Sequence, residues 1–263
     1  MKDAPTELEP DTDEQEPEEE SGKMSFLEHL DELRKRLLHI VAYIGLGFVA
    51  SFLFVKQIYH FISLPITKAL PAGLKLAYTN PTDPFTVYMK VAFIAGIFLT
   101  IPFSLYEVWK FIAPGLYRKE KKYVVPFLVS SVFLFFLGGA FCYLIVLPQM
   151  YGFLIGLGSD FTPVIKIDEY LDLTNMMLLG FGLIFEMPVI VAFLSLFGLV
   201  SAHFLWSKFK YSIVIIVTLA AIISPTGDAF NLMIWSAPMI LLYIVSIGVA
   251  AIFGWRRKKQ GLA

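Results

Sequence analysis

Charge and cysteine are both scarce in this chain. Of its 263 residues only 16% are Asp, Glu, Lys or Arg, against 57% apolar residues and a mean hydropathy of +0.70, a balance that excludes an ordinary soluble domain. The single cysteine, Cys142, excludes an intrachain disulfide, and its apolar surroundings make it a small buried hydrophobe. Catalytic signatures are missing as well. There is no glycine loop ending in Lys-Ser or Lys-Thr, so nucleotide hydrolysis is not encoded. The four histidines, His29, His39, His60 and His203, are scattered without a His-Glu-x-x-His pair, so no metal and no cofactor are expected. No nucleophile and base are paired, and the chain is expected not to be an enzyme. Nucleic acid is not among its expected partners.

The charge that is present gathers outside the apolar runs. Ten of the 22 acidic residues fall in residues 1–22, a segment too polar to offset the entropy of ordering, and this is read as a disordered acidic tail. It lacks the basic start and the small-residue cleavage site of a removed targeting peptide. The other 241 residues carry 12 acids against 20 Lys and Arg, an excess that suits contact with an anionic leaflet.

Six apolar stretches stand out, at 37–55, 87–108, 124–147, 174–197, 211–223 and 230–253. A membrane helix needs about 20 apolar residues to span about 30 Å of hydrocarbon. The fifth has only 14 residues between Lys210 and Pro225, about 21 Å of helix. The charge map decides whether it crosses. Six crossings put 16 Lys and Arg, including all five arginines, on one side and five lysines on the other. That bias places both termini in the cytoplasm, whereas five crossings would put Arg256, Arg257, Lys258 and Lys259 outside. The fifth stretch is therefore predicted to cross, with thinned lipid or a partner beside it. The outer connections, 56–86 and 148–172, contain enough apolar residues, among them Ile58, Phe61, Ile62 and Leu64, to form amphipathic caps. Residues 224–228 form a tight turn. The expected architecture is an all-α membrane protein of six transmembrane helices arranged as a concave bundle. The acidic cytoplasmic tail at 1–22 precedes the membrane domain at 23–253, and a basic cytoplasmic tail follows at 254–263.

Three features invite a binding role. Before the first span, Ser25 and Glu28 make a capping box, and Phe26, Leu27, Leu30, Leu33 and Leu37 recur at helical spacing. Six charges in the nine residues 28–36 exceed what anchoring requires, although Asp31 with Lys35 and Glu32 with Arg36 are also i,i+4 pairs that solubilise a helix. Between the second and third stretches, Glu120 stands alone among basic neighbours beside exposed aromatics. A carboxylate there stays ionised and can accept a bidentate pair from an incoming arginine, and Glu32 with Glu120 would make two such acceptors. Within the fourth stretch Glu186 lies in apolar surroundings, at a cost of about 2.5–3.5 kcal/mol on insertion scales, and should face the bundle interior or a wet cavity. Asp228 and Asn231, at the start of the sixth, are weaker candidates because a turn and helix start also favour them.

Phe26, Leu27, Glu28, His29, Leu30, Glu32, Leu33, Arg34, Arg36 and Leu37 form the first motif of a resemblance. Leu105 to Tyr106, Val108 to Trp109, Phe111 to Tyr117 and Glu120 form the second, followed by Phe185, Glu186 and Pro188. In this order the chain resembles the TatC family, the multispanning core subunit of the twin-arginine protein translocase, over about residues 25–253. The resemblance implies a receptor for signal peptides with paired arginines that exports folded cargo with TatA- and TatB-type single-span partners, self-associates, and draws on the proton gradient. It implies an inner-membrane protein of a bacterium or archaeon. It assigns Glu32 and Glu120 as acceptors for the arginine pair, Arg34 and Phe111 as supporting residues, and Glu186 as a polar group inside the bundle. Pro65 and Phe85 match positions in the first outer cap. Where a glutamine-like residue is expected early in span six, this chain has Leu232 with Asn231 beside it, and partner docking there is assigned to Asn231 and Asp228. The rival reading is a proton-coupled small-solute transporter with Glu186 as its relay.

Overall fold

The structure is a computed structural model and describes residues 26–71, 73–115, 121–158, 160–223 and 228–259. Among these the chain forms ten α-helices, with one isolated parallel bridge, Ala77 to Lys166, as the β-type pairing. The acidic tail, Glu120 and the 224–227 turn lie outside the described residues.

Helix α1 (Phe26–Leu53) merges the charged amphipathic lead and the first apolar stretch into one rod. It is followed by α2 (Val55–Ala69), the expected cap, whose Ile62 and Ile66 are buried while Phe61 is exposed. Helix α3 (Asp83–Ile112) returns alongside α1. After it, α4 (Val124–Phe141) continues through a π-turn (Cys142–Val146) into α5 (Leu147–Leu157). Pro148 cannot donate to the Leu144 carbonyl, and the widened turn accommodates that missing bond. Helices α6 (Ile167–Ile184) and α7 (Met187–Leu196) form a second broken rod, and α8 (Ala202–Ser207), α9 (Phe209–Ile223) and α10 (Ala229–Lys259) complete the chain.

Among the described residues five helical stretches are long and apolar enough to cross a membrane: Leu27–Leu53, Asp83–Gly115, Lys121–Leu157, Ile167–Leu196 and Ala229–Gly254. Helix α9, which holds the fifth apolar stretch, is shorter, 15 residues or about 22 Å, as expected. One boundary moves substantially. The fourth helix begins at Ile167 rather than near residue 174, so Asp168, Glu169 and Asp172 belong to its first turns and not to a loop. Acids there complement the partial positive charge of a helix N-terminus, and Lys90 of α3 pairs with Asp172.

Two glycine crossings bring these rods together, as expected where apolar lipid supplies no hydrophobic drive and close backbone approach must. At α1–α3, a Cβ on Gly96 would lie 2.6 Å from the Phe48 nitrogen, and one on Gly47 would lie 2.6 Å from the Gly96 oxygen. At α4–α6, a Cβ on Gly138 would lie 2.5 Å from the Phe181 carbonyl oxygen, whereas one on Gly182 would meet the Phe135 ring at 2.8 Å. A ring can tilt and a backbone carbonyl cannot. Gly138→Ala is therefore expected to cost about 2–3 kcal/mol and Gly182→Ala about 1 kcal/mol, compared by chemical denaturation in detergent. Equal costs would argue against rigid backbone contact at Gly138.

At one end of the bundle the outer cap is tied by tyrosines. Tyr170 donates to the Ile62 carbonyl at 2.7 Å, and Tyr143 donates to the Phe61 carbonyl at 2.6 Å while stacking on the Phe61 ring. At the other end, the start of α1 lies against the end of α3, and this is where the charged residues converge.

Candidate functional site

The first turns of α1 carry Glu28, Asp31, Glu32, Lys35 and Arg36, which line an open hollow of ≈ 490 Å³. Glu32 and Arg36 form the expected i,i+4 pair, with Nη2 donating to Oε1 at 2.9 Å. Arg36 also reaches across to α3, where its Nη1 donates to Glu107 Oε2 at 2.9 Å. Glu107 is only 3% exposed. The Tyr43 hydroxyl lies 3.5 Å from Glu107 Oε1, and His39 Nδ1 lies 3.6 Å from Oε2. One guanidinium thus bridges two carboxylates on different helices, and the second Glu32 oxygen, Oε2, is buried without a hydrogen-bond partner among the described residues.

Phe111, one turn beyond Glu107, stacks on His29 with ring centroids 4.3 Å apart and an interplanar angle of 16°. The stack places Phe111 beside α1, the helix that carries Glu32. Arg34 is exposed and pairs with no described residue. Glu120 lies outside the described residues, so its distance from Glu32 is not defined. Glu107 escaped the sequence reading because it falls inside an apolar stretch and its partner is 71 positions away. The available signal was a lone carboxylate near the end of a membrane segment, which has to be paired to be tolerated.

Glu107 and Trp109 are two residues apart on α3 and so point to nearly opposite faces. Glu107 faces α1. Trp109 faces α4 and α7, where it packs with Phe127, Val189 and Ala192 and its Nε1 donates to Ser131 Oγ at 3.4 Å. Ser131 also lies beside the carboxyl of Glu186. Glu186 stands in the break between α6 and α7, because Pro188 has no N–H to continue the ladder, and its carbonyl accepts the first bonds of α7 from Val189 and Ile190. Its side chain is buried at 8% exposure, with Oε1 unpaired. The residue is buried within the bundle, and its position is a helix junction rather than a helix interior.

At the start of α10, Asp228 accepts from the Asn231 backbone nitrogen at 2.8 Å and from its amide at 2.9 Å. Asn231 is fully buried, so the two form a capping unit in which Asp228 is the outer member.

Fold and site together define a polytopic α-helical membrane protein with a carboxylate and guanidinium cluster where its first two membrane helices meet. Residues 28–238 match the profile of the Sec-independent protein translocase protein TatC. The chain is 53% identical over 230 residues to the Sec-independent protein translocase protein TatC of Koribacter versatilis, covering 86% of this chain and 85% of that one. It is 36% identical over 240 residues to TatC of Aquifex aeolicus, covering 90% and 98%. A crystal structure of the twin arginine translocase receptor TatC superposes with a TM-score of 0.76 at 35% identity, covering 86% of this chain and 99% of that one. The chain belongs to the TatC family. It is a membrane-embedded component of Sec-independent protein translocation, and the small-solute transporter reading finds no support in these relatives.

Proposed function

We propose that this chain is the signal-peptide receptor and core subunit of a twin-arginine translocase in the cytoplasmic membrane, with six spans and both termini in the cytoplasm. The observation that carries the receptor reading is the unpaired, buried Oε2 of Glu32 in a wall of the acid-lined hollow. An arginine guanidinium is the ligand whose planar donor fork fits such an oxygen. Glu120 is the second acceptor, and Phe111, held against His29, supplies an aromatic face on which a guanidinium can stack. Arg34, exposed beside them, supports the site by adding positive charge that orients the carboxylates. The apolar part of the signal then inserts along the bundle toward Glu186, whose unpaired Oε1 offers a polar contact in apolar surroundings. TatA- and TatB-type single-span subunits dock near Asp228, further copies of the chain associate with it, and the proton gradient supplies the energy.

The test is binding of a synthetic twin-arginine signal peptide to the full-length protein in detergent. Glu32→Gln and Glu120→Lys are each expected to weaken binding about tenfold or more, the scale of a charge-assisted hydrogen bond. A peptide with paired lysines should bind the wild type less tightly, because an ammonium lacks the bidentate geometry. Unchanged binding in both variants overturns the receptor reading.

A further inference from the structure

Glu107 has no part in the proposed recognition step, yet its carboxylate is thoroughly engaged. It accepts from Arg36 Nη1 at 2.9 Å and lies 3.5 Å from the Tyr43 hydroxyl and 3.6 Å from His39 Nδ1. Both of its oxygens already have polar neighbours, so it is no acceptor for an outside ligand. What it holds is Arg36.

An arginine one helical turn from a glutamate can close two parallel hydrogen bonds that occupy both carboxylate oxygens. Arg36 does not close on Glu32 in this way. It gives Nη2 to Glu32 Oε1 and turns Nη1 toward Glu107, and among the described residues Arg36 Nε and Glu32 Oε2 are both buried without hydrogen-bond partners. A spare donor and a spare acceptor on already bonded groups are what remains of a bidentate pair held half open.

The geometry points to Glu107 as a positioning residue: by holding Nη1 of Arg36 it fixes the orientation of the guanidinium, so that the Nε–Nη2 edge stays half open on Glu32 and Glu32 Oε2 is left unpaired for the guanidinium of an incoming arginine. This rests on the receptor reading above. Charge balance acts in the same sense. Glu32 and Arg36 alone are neutral together, whereas the triad with Glu107 carries one net negative charge, which favours a cation over a neutral ligand. Glu28, Asp31 and Lys35 around the hollow add a further negative charge. Lys35 shares the hollow, but its single ammonium has no planar fork with which to close on a carboxylate.

The experiment titrates a labelled twin-arginine signal peptide into the full-length protein in detergent, with monodispersity and melting temperature recorded for every variant. Glu107→Leu is expected to weaken binding about tenfold or more, since Glu32 then loses its free oxygen to Arg36. Glu107→Gln, which keeps an oxygen for Nη1, should lose less. Glu107→Leu combined with Arg36→Leu should bind better than Glu107→Leu alone, because nothing remains to close on Glu32. A tie that merely fastens α1 to α3 predicts the reverse, with the double variant no better than the single. If Glu107→Leu does not fold, Glu107→Met replaces it in both arms. The inference is overturned if the folded single variant binds like wild type, or if the double variant recovers nothing. Glu32→Gln and Glu120→Lys run alongside: if both bind like wild type, the receptor reading fails and takes the inference with it. If Glu32→Gln weakens binding and Glu107→Leu does not, the inference alone falls.

Discussion

Gly96→Ala is expected to destabilise the protein by about 2–3 kcal/mol, toward the upper end of what overpacking costs. The added methyl would sit 2.6 Å from the Phe48 nitrogen and 2.8 Å from the Gly47 carbonyl carbon, both main-chain atoms. No rotamer change relieves that contact, so α1 and α3 must move apart. The consequence reaches the charged cluster, because Glu32 and Arg36 ride on α1 while Glu107 rides on α3. Gly45→Ala is the matched control. A Cβ there meets nothing within 4 Å, and alanine in a helix interior is favoured over glycine by about 0.5–1 kcal/mol. Urea or guanidinium denaturation in detergent, followed by tryptophan fluorescence, should separate the two variants in opposite directions. Indistinguishable midpoints would mean that α1 and α3 do not cross backbone to backbone.

Arg36→Ala is expected to be at least as damaging, by about 3 kcal/mol, because removing one partner of a buried ion pair strands the other charge. The stranded group is Glu107, whose side chain is 4% exposed. Arg36 itself keeps 16% exposure, which is why the lower end of the range for buried pairs applies. Adding Glu107→Leu to Arg36→Ala should restore part of the loss, since no buried charge then remains. A thermal-shift comparison of the single and double variants measures this coupling directly. If the double variant is the less stable of the two, Glu107 contributes through something other than its charge.

Much of this organisation was legible from residue order. The apolar stretches, the continuous amphipathic entry into the first helix, the cap over residues 55–69 and the shortness of the fifth stretch all depend on local hydropathy and spacing, which neighbouring residues determine. The Glu32 to Arg36 pair was legible for the same reason, being one helical turn long. Misplacement of the start of the fourth helix has an equally local cause. Asp168, Glu169 and Asp172 interrupt the hydropathy of that helix, and acids at a helix entrance are easily taken for a loop.

Hydropathy, charge asymmetry and the motifs around Glu32, Phe111 and Glu186 are properties of the chain as a string, and they sufficed for the membrane class and the family. Which carboxylate pairs with which guanidinium was decided only in three dimensions. Arg36 divides its donors between Glu32, four positions away, and Glu107, 71 positions away, and only the close glycine crossing of α1 over α3 brings the second within reach. Likewise, the helix break at Glu186 is a local effect of Pro188, but its place beside Ser131 and Trp109 came from the packing of three helices. Local chemistry needs only neighbours in sequence, while pairing of buried charge needs neighbours in space.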